Sequence, residues 1–287
     1  DFKELECANN LLQTFKEHRA IVVSHYILGG DFENQQDNKN FSFQGQKIFN
    51  ALKKNPNLFL MLSGHIAPNG ENMRTDVLKK RSETYTDNFQ IHSILSNYQD
   101  RFRGGNGWLR ILQFSPTTSE IRVKTYSPWL DSWEIDENSE FTLFYNMSNP
   151  ELSIEDQKTN SSITNENFSI VVIPDTQYYS ERFPLIFNSQ TQWIADNYEA
   201  WNIVYVTHLG DIVNNYSSIA QWRIASKAMN VLEEVVSERF PHGIPYGVVP
   251  GNHDLLMKNK SKKENIKDII KIYNLRNAIG LIPSYKQ

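Results

Sequence analysis

Short continuous apolar runs and longer amphipathic stretches take turns along this chain. Leu5, Ala8, Leu11, Leu12 and Phe15 recur at helical spacing and predict an opening helix. Ala20-Ile21-Val22-Val23 and Leu58-Phe59-Leu60-Met61-Leu62 have the unbroken apolar character of strands buried on both faces, and end at Ser24-His25 and Ser63-Gly64-His65. Between them, Gln46 to Lys54 places Ile48, Phe49 and Leu52 on one helical face. Gly107 to Phe114, Glu120 to Tyr126 and Glu140 to Tyr145 read as strands, and the middle one alternates as a half-exposed antiparallel strand does. Asn149 to Asn167 is polar and without period, so it reads as a linker or a long surface loop.

From Phe168 onwards strand and helix alternate. Phe168 to Ile173 predicts a strand, Gln190 to Trp201 a helix, Ile203 to Val206 a strand, Ile219 to Phe240 a long helix and Tyr246 to Val249 a strand. Such alternation predicts an α/β fold with a mainly parallel sheet and helices on its faces. The lysines at 258, 260, 262, 263, 267 and 271 read as a solvated helix face.

Composition narrows the function. With 287 residues, 39% of them hydrophobic, the chain can bury a substantial core. A net charge of −4 argues against a dedicated nucleic-acid binder. No apolar run approaches the ~20 residues that span a bilayer. Cys7 is the single cysteine, which excludes a disulfide framework or cysteine-rich zinc site, and its neighbours Leu5, Leu11 and Leu12 suggest a core or half-buried position. A chain that starts at Asp1 without Met reads as a processed form or a piece of something longer. Sequons at Asn40, Asn146, Asn160, Asn167, Asn215 and Asn259 lean weakly towards secretion.

The chemistry gathers at strand ends. Five of the expected buried strands lead into Asp175, Asp211, the run Gly251-Asn252-His253-Asp254, His25 and His65. Ligands of open α/β sheets bind beyond the carboxyl ends of strands, so these groups can surround one crevice. A carboxylate between two cations can bridge them, while imidazole and amide oxygen complete the shells without adding charge. Two such cations hold a phosphate, lower the pKa of a bound water and neutralise charge that develops in an in-line displacement. A lone His or Gly-Asp means little; Asp-x-Gln, Gly-Asp and Gly-Asn-His-Asp in order, each a strand–helix unit apart, is a rare combination. His208 reads as packing or support for a neighbouring ligand.

These residues resemble the calcineurin-like metallophosphoesterases, whose motifs are Asp-x-His, Gly-Asp, Gly-Asn-His-Asp or -Glu, a lone His and Gly-His-x-His. The resemblance implies a β-sandwich flanked by helices. It implies that Asp175 binds a first metal with Gln177, that Asp211 bridges, and that Asn252, His25 and His65 bind a second. It further implies that His253 is the general acid and that Asp254 orients it. Two divalent ions (Mn, Mg, Fe or Zn) would be the cofactors, and a phosphate-ester small molecule or phosphorylated substrate the partner. Gln177 stands where the family usually has His, and Gly64-His65-Ile66-Ala67 lacks the final His, so an oxygen-rich, weaker first site is expected beside a better-formed second one. Asp175-Thr176-Gln177, Asn97-Tyr98-Gln99 and Gly104-Gly105-Asn106-Gly107-Trp108 look like a subgroup carrying the Gln variant. The motif order is swapped: 1–147 resembles a C-terminal half, 148–167 a linker and 168–287 an N-terminal half. Either the chain is a fragment of a tandem array with neighbouring repeat domains, which an incomplete joining stretch favours, or it is a permutant whose halves close on each other. The resemblance implies hydrolysis of phosphate mono- or diesters, and the alternative is an inactive module with a binding or structural role.

Overall fold

The computed structural model describes residues 2–29, 40–66, 70–81, 86–147 and 167–255. Helix α1 (Phe2–Thr14) is followed by β1 (Ala20–Val23), α2 (Phe43–Leu52) and β2 (Leu58–Ser63). Then come two long antiparallel strands, β3 (Gly70–Arg81) and β4 (Thr86–Asn97), and a short turn, α3 (Phe102–Gly105). Strands β5 (Leu109–Ser115), β6 (Glu120–Ser127), β7 (Ser132–Glu134) and β8 (Phe141–Phe144) complete the first stretch. The second stretch runs β9 (Phe168–Ile173), α4 (Gln177–Glu181), α5 (Pro184–Asn197), β10 (Ile203–His208), α6 (Ile219–Glu233) and β11 (Tyr246–Val248). Serine hydroxyls start two of the helices: Ser42 accepts from the Gly45 N–H at 2.9 Å and Ser218 from the Gln221 N–H at 3.4 Å.

Two sheets result. One has the order β1-β2-β4-β3, in which the first three strands are parallel and β3 is antiparallel. The other has the order β11-β10-β9-β5-β6-β7, with β8 also paired to β6. Its β11, β10 and β9 are parallel and the remainder antiparallel. Both sheets are therefore mixed, where strand–helix alternation alone predicts a mainly parallel one. The short β5–β6 connection allows an antiparallel neighbour without a crossover helix. The seam between the chain's two stretches lies inside the larger sheet. There β5 pairs with β9, from Arg110 opposite Val172 to Phe114 opposite Phe168.

Three apolar clusters explain why the strands are so uniformly hydrophobic. Phe59, Leu60, Leu62 and Ile94 of the smaller sheet pack with Leu112, Phe114, Ile121, Val123, Ile170 and Val172 of the larger. Helices α5 and α6 cover the other face of the larger sheet with Phe187, Ile194, Trp222, Ala225 and Met229 against Ile111, Val171 and Val206. Leu12 of α1 and Phe49 and Leu52 of α2 pack on Leu58, Met61, Ile91 and Leu95 of the smaller sheet. Each central strand is thus buried on both faces.

A polar network joins the two sheets as well. The Arg110 side chain of β5 is fully buried and donates to Glu71 of β3 at 2.9 Å, to Ser96 at 3.1 Å and to Thr125 at 2.9 Å. Glu71 also accepts from Arg101 at 2.7 Å and from the Tyr98 hydroxyl at 2.8 Å.

Some expectations are corrected. Cys7 is exposed, because α1 packs through Leu12 and leaves its opposite face to solvent. The helix expected to reach Phe240 stops at Glu233, where the Ile244 N–H folds back to the Leu232 carbonyl. The helix expected from Gln190 begins at Pro184, which suits a first helical turn. Strands β3, β4 and β7 have no counterpart in the sequence reading. The linker residues 148–166 and the lysine-rich tail lie outside the described residues. No helix among the described residues is long and apolar enough to cross a membrane.

Candidate metal centre

The candidate ligands sit just beyond strand ends, where apolar runs give way to polar turns. Asp175 follows β9, Asp211 follows β10 and Asn252 follows β11, three strands that run side by side in one direction. His25 and His65 follow β1 and β2 of the other sheet, which also run parallel. His25 Nε2 lies 3.2 Å from Asp211 Oδ2, 3.2 Å from Asn252 Oδ1 and 3.1 Å from His65 Nδ1. Donor atoms of His25, His65 and Asp211 all fall within 4.8 Å of one another. Asp175 Oδ1 is 3.7 Å from His25 Nδ1, and this carboxylate accepts from the His65 backbone N–H at 3.2 Å. Residues 40 to 227 positions apart in sequence are thus brought together.

Two details direct His25. Its Nδ1 lies 2.8 Å from the Leu209 carbonyl, which can only accept, so Nδ1 carries a hydrogen. Its Nε2 is then the atom aimed at Asp211, Asn252 and His65, as a metal-binding imidazole requires. Close packing needs glycine beside the carboxylates. A Cβ at Gly64 would stand 2.2 Å from Asp175 Oδ2, and one at Gly251 would stand 2.0 Å from Asp211 Oδ1. The candidate ligands His65 (φ 73°) and Asp211 (φ 48°) hold left-handed backbone themselves. That conformation is costly for non-glycine residues and concentrates at functional sites.

Electrostatics describe a pocket short of positive charge. Burial lowers the proton affinity of His25, but Asp175 and Asp211 overcome it and raise its pKa to about 10. Burial pushes Asp175 up to about 8, against the pull of His25. Asp211 is held below the usual carboxylate range despite its burial, by the hydrogen bond and charge of His25. Burial and the charge of His25 lower His65 to about 4. Protons thus occupy the place of cations among these groups.

The residues fit divalent metal. Asp211, Asn252, His25 and His65 offer carboxylate, amide oxygen and imidazole around one point. Two residues after Asp175, Gln177 is 1% exposed, and its Oε1 is a buried acceptor without a hydrogen-bond partner among the described residues. Its Nε2 donates to Gln99 Oε1, which turns the amide and leaves that oxygen available. A buried amide oxygen left without a donor suits a hard, oxygen-preferring cation.

His253 and Asp254 have separate partners. Asp254 is 2% exposed and accepts from three backbone N–H groups, of Ile212 at 3.1 Å, Val213 at 3.0 Å and Gly251 at 2.9 Å. It ties the Asp211 loop to the Asn252 loop. The ring of His253 is held instead by the Asn214 carbonyl, 2.9 Å from Nδ1, and its backbone N–H donates to Asp211 Oδ1 at 2.8 Å. Nothing in the sequence pattern assigns a role to Asn214, although Gly210-Asp211-Ile212-Val213-Asn214 places it three residues after a candidate ligand. His208 is fully buried. Its Nδ1 accepts from the Gly210 N–H at 3.1 Å and its Nε2 meets Thr176 Oγ1 at 2.9 Å, a support for the loops. The loop around Gly104 to Gly107 packs on Tyr178 and Tyr179, and the Gly107 N–H donates to the Tyr179 hydroxyl at 2.9 Å.

Comparison with known proteins finds two similarities. Over 94 residues the chain is 47% identical to "Uncharacterized protein YvnB" of Bacillus subtilis (strain 168). That alignment covers 33% of this chain and 7% of the length of YvnB. No solved structure matches the chain. The calcineurin-like phosphoesterase family model matches residues 168–285. The stretch that supplies Asp175, Gln177, Asp211, Asn252, His253 and Asp254 is thus the stretch that matches the calcineurin-like phosphoesterases, and His25 and His65 join it from outside the matched residues.

Proposed function

We propose that this chain hydrolyses phosphate mono- or diesters with the help of two divalent cations. The site is a single one, built from both stretches of a metallophosphoesterase-type β-sandwich whose motif halves stand in swapped order. One observation carries this reading: donor atoms of His25, His65 and Asp211 converge within 4.8 Å, with Asn252 Oδ1 3.2 Å from His25 Nε2. Asp211, Asn252, His25 and His65 would hold one ion, and Asp175, Gln177 and Asp211 the other. When bound, such ions activate a water and neutralise charge on the phosphate. His253 supplies the acid. Its Nδ1–H is committed to the Asn214 carbonyl, so Nε2 is the atom left to pass a proton to the departing oxygen. Asp254 keeps the two loops in register through the backbone.

Phosphate release from generic mono- and diesters, with Mn and Mg added, tests the proposal. His253→Ala is expected to lower turnover by about 10²- to 10⁴-fold, the usual worth of general acid–base catalysis, with bound metal unchanged. Full turnover in that variant, or a metal-loaded wild type without turnover, would sink the reading. The rival is an inactive module of the same fold used for binding or structure. Its support is that Gln177 stands where a family histidine is usual and has its amide nitrogen tied to Gln99. Two bound ions per chain favour the enzyme; one or none favours the rival.

A further inference from the structure

Resting on the phosphoesterase reading, we propose that Glu181 is a positioning residue for His253, acting through Asn214. Helix α4 and the residue before it line the loop that follows Asp211. The Thr176 N–H donates to the Asp211 carbonyl at 3.1 Å. The hydroxyls of Thr176 and Ser180 both donate to the Ile212 carbonyl, at 3.2 and 2.6 Å. The last contact of this series is Asn214 Nδ2 to Glu181 Oε1, at 2.8 Å. On its other side, Asn214 presents its backbone carbonyl to His253 Nδ1 at 2.9 Å. One residue therefore joins the carboxylate of α4 to the imidazole.

A carbonyl accepts and cannot donate, so this contact forces the hydrogen of the neutral ring onto Nδ1 and aims Nε2 away from the loop. The contact holds only while the peptide of Asn214 keeps its orientation, and Glu181 fixes the side chain of that residue. The other oxygen of Glu181 accepts from Arg182 Nε at 2.8 Å, which steadies the carboxylate. The Glu181 side chain is 29% exposed, so its replacement leaves the core intact.

The test uses the whole metal-loaded chain and two esters that differ in leaving group, p-nitrophenyl phosphate and phenyl phosphate. The nitrophenolate departs without a proton; the phenolate benefits from one. Glu181→Ala is expected to lower kcat about tenfold on the phenyl ester and less than about twofold on the nitrophenyl ester, with KM unchanged on both. Glu181→Gln keeps an acceptor for Asn214 Nδ2 and is expected to restore most of the loss. The double variant Glu181→Ala/Asn214→Ala is expected to be no worse than the more affected single variant, because the two residues act in series. A readout apart from turnover is the ring nitrogen shifts of His253 in metal-free protein, at a pH where the ring is neutral. Wild type and Glu181→Gln are expected to show the Nδ1–H tautomer, and Glu181→Ala a mixture. Equal losses on the two esters, or an unchanged His253 ring in Glu181→Ala, overturn the role of Glu181. Wild type that turns over neither ester while holding its metals overturns the phosphoesterase reading instead, and the ring nitrogens then decide the role of Glu181 on their own.

Discussion

Metal binding at this centre is expected to expel protons, and their number follows from the ligands. In metal-free protein at pH 7, His25 titrates at about 10 and Asp175 at about 8, so both are mostly protonated. Asp211 stays ionised. A cation requires neutral imidazole and ionised carboxylate, so filling both sites at pH 7 is expected to release about two protons. Displacing the proton from His25 at that pH costs part of the intrinsic affinity. The sign is fixed: groups that hold protons in the empty pocket make the apparent affinity rise with pH. Affinity for the pair of ions is expected to climb by more than about tenfold per pH unit while both groups hold protons, and to level off once both have lost them. Calorimetric titration of metal-free protein with Mn²⁺, repeated at pH 7 in buffers of different ionisation enthalpy, gives the proton count directly. A His25→Ala variant is expected to release about one proton fewer. Release of less than about half a proton, or an affinity that is flat between pH 6 and 8, would refute the reasoning.

Other expectations follow from particular contacts. Arg110→Ala removes a fully buried guanidinium from Glu71, Ser96 and Thr125, and is expected to cost about 3–5 kcal/mol, read as a fall in the denaturant midpoint. Gly64→Ala forces a methyl group against Asp175 Oδ2, and is expected to weaken metal binding by about 10- to 100-fold with little change in the circular dichroism of the fold. Asp254→Ala strips the acceptor from three backbone N–H groups, and is expected to lower stability by about 3 kcal/mol and to weaken metal binding together with it. A variant that melts like wild type would show that those N–H groups have other partners.

The elements that were legible in the sequence are those whose environment is uniform. Strands β1, β2, β9, β10 and β11 are short, covered on both faces or nearly so, and announce themselves as apolar runs. The pair β3 and β4 hides, because Asn72, Thr75, Asp76, Lys79 and Lys80 give β3 no strand-like hydrophobic signature, and its pairing with β4 is a tertiary outcome. The end of α6 is hidden in the sequence because Val235, Val236 and Phe240 continue an apolar pattern through a turn that folds back on Leu232. At the site, the residue types and the strand-tip positions of Asp175, Asp211, Asn252, His25 and His65 could be read from the chain. Their distances could not, since those depend on β5 meeting β9 and on one sheet facing the other. The part played by Asn214 was invisible for a different reason: it acts through a backbone carbonyl, which every residue possesses.

The pairing of β5 with β9 has a consequence for how the gene can be cut. Either stretch expressed without the other would carry a central strand with one bare margin of N–H and C=O groups between two apolar faces. Ile111 on one side of the cut packs under α5 and α6, and Ile170 on the other packs under the smaller sheet, so each loses the cover that the missing half supplies. Such a margin is a template for stacking onto copies of itself, so half-length products are destined for inclusion bodies and not for a partial, metal-binding protein.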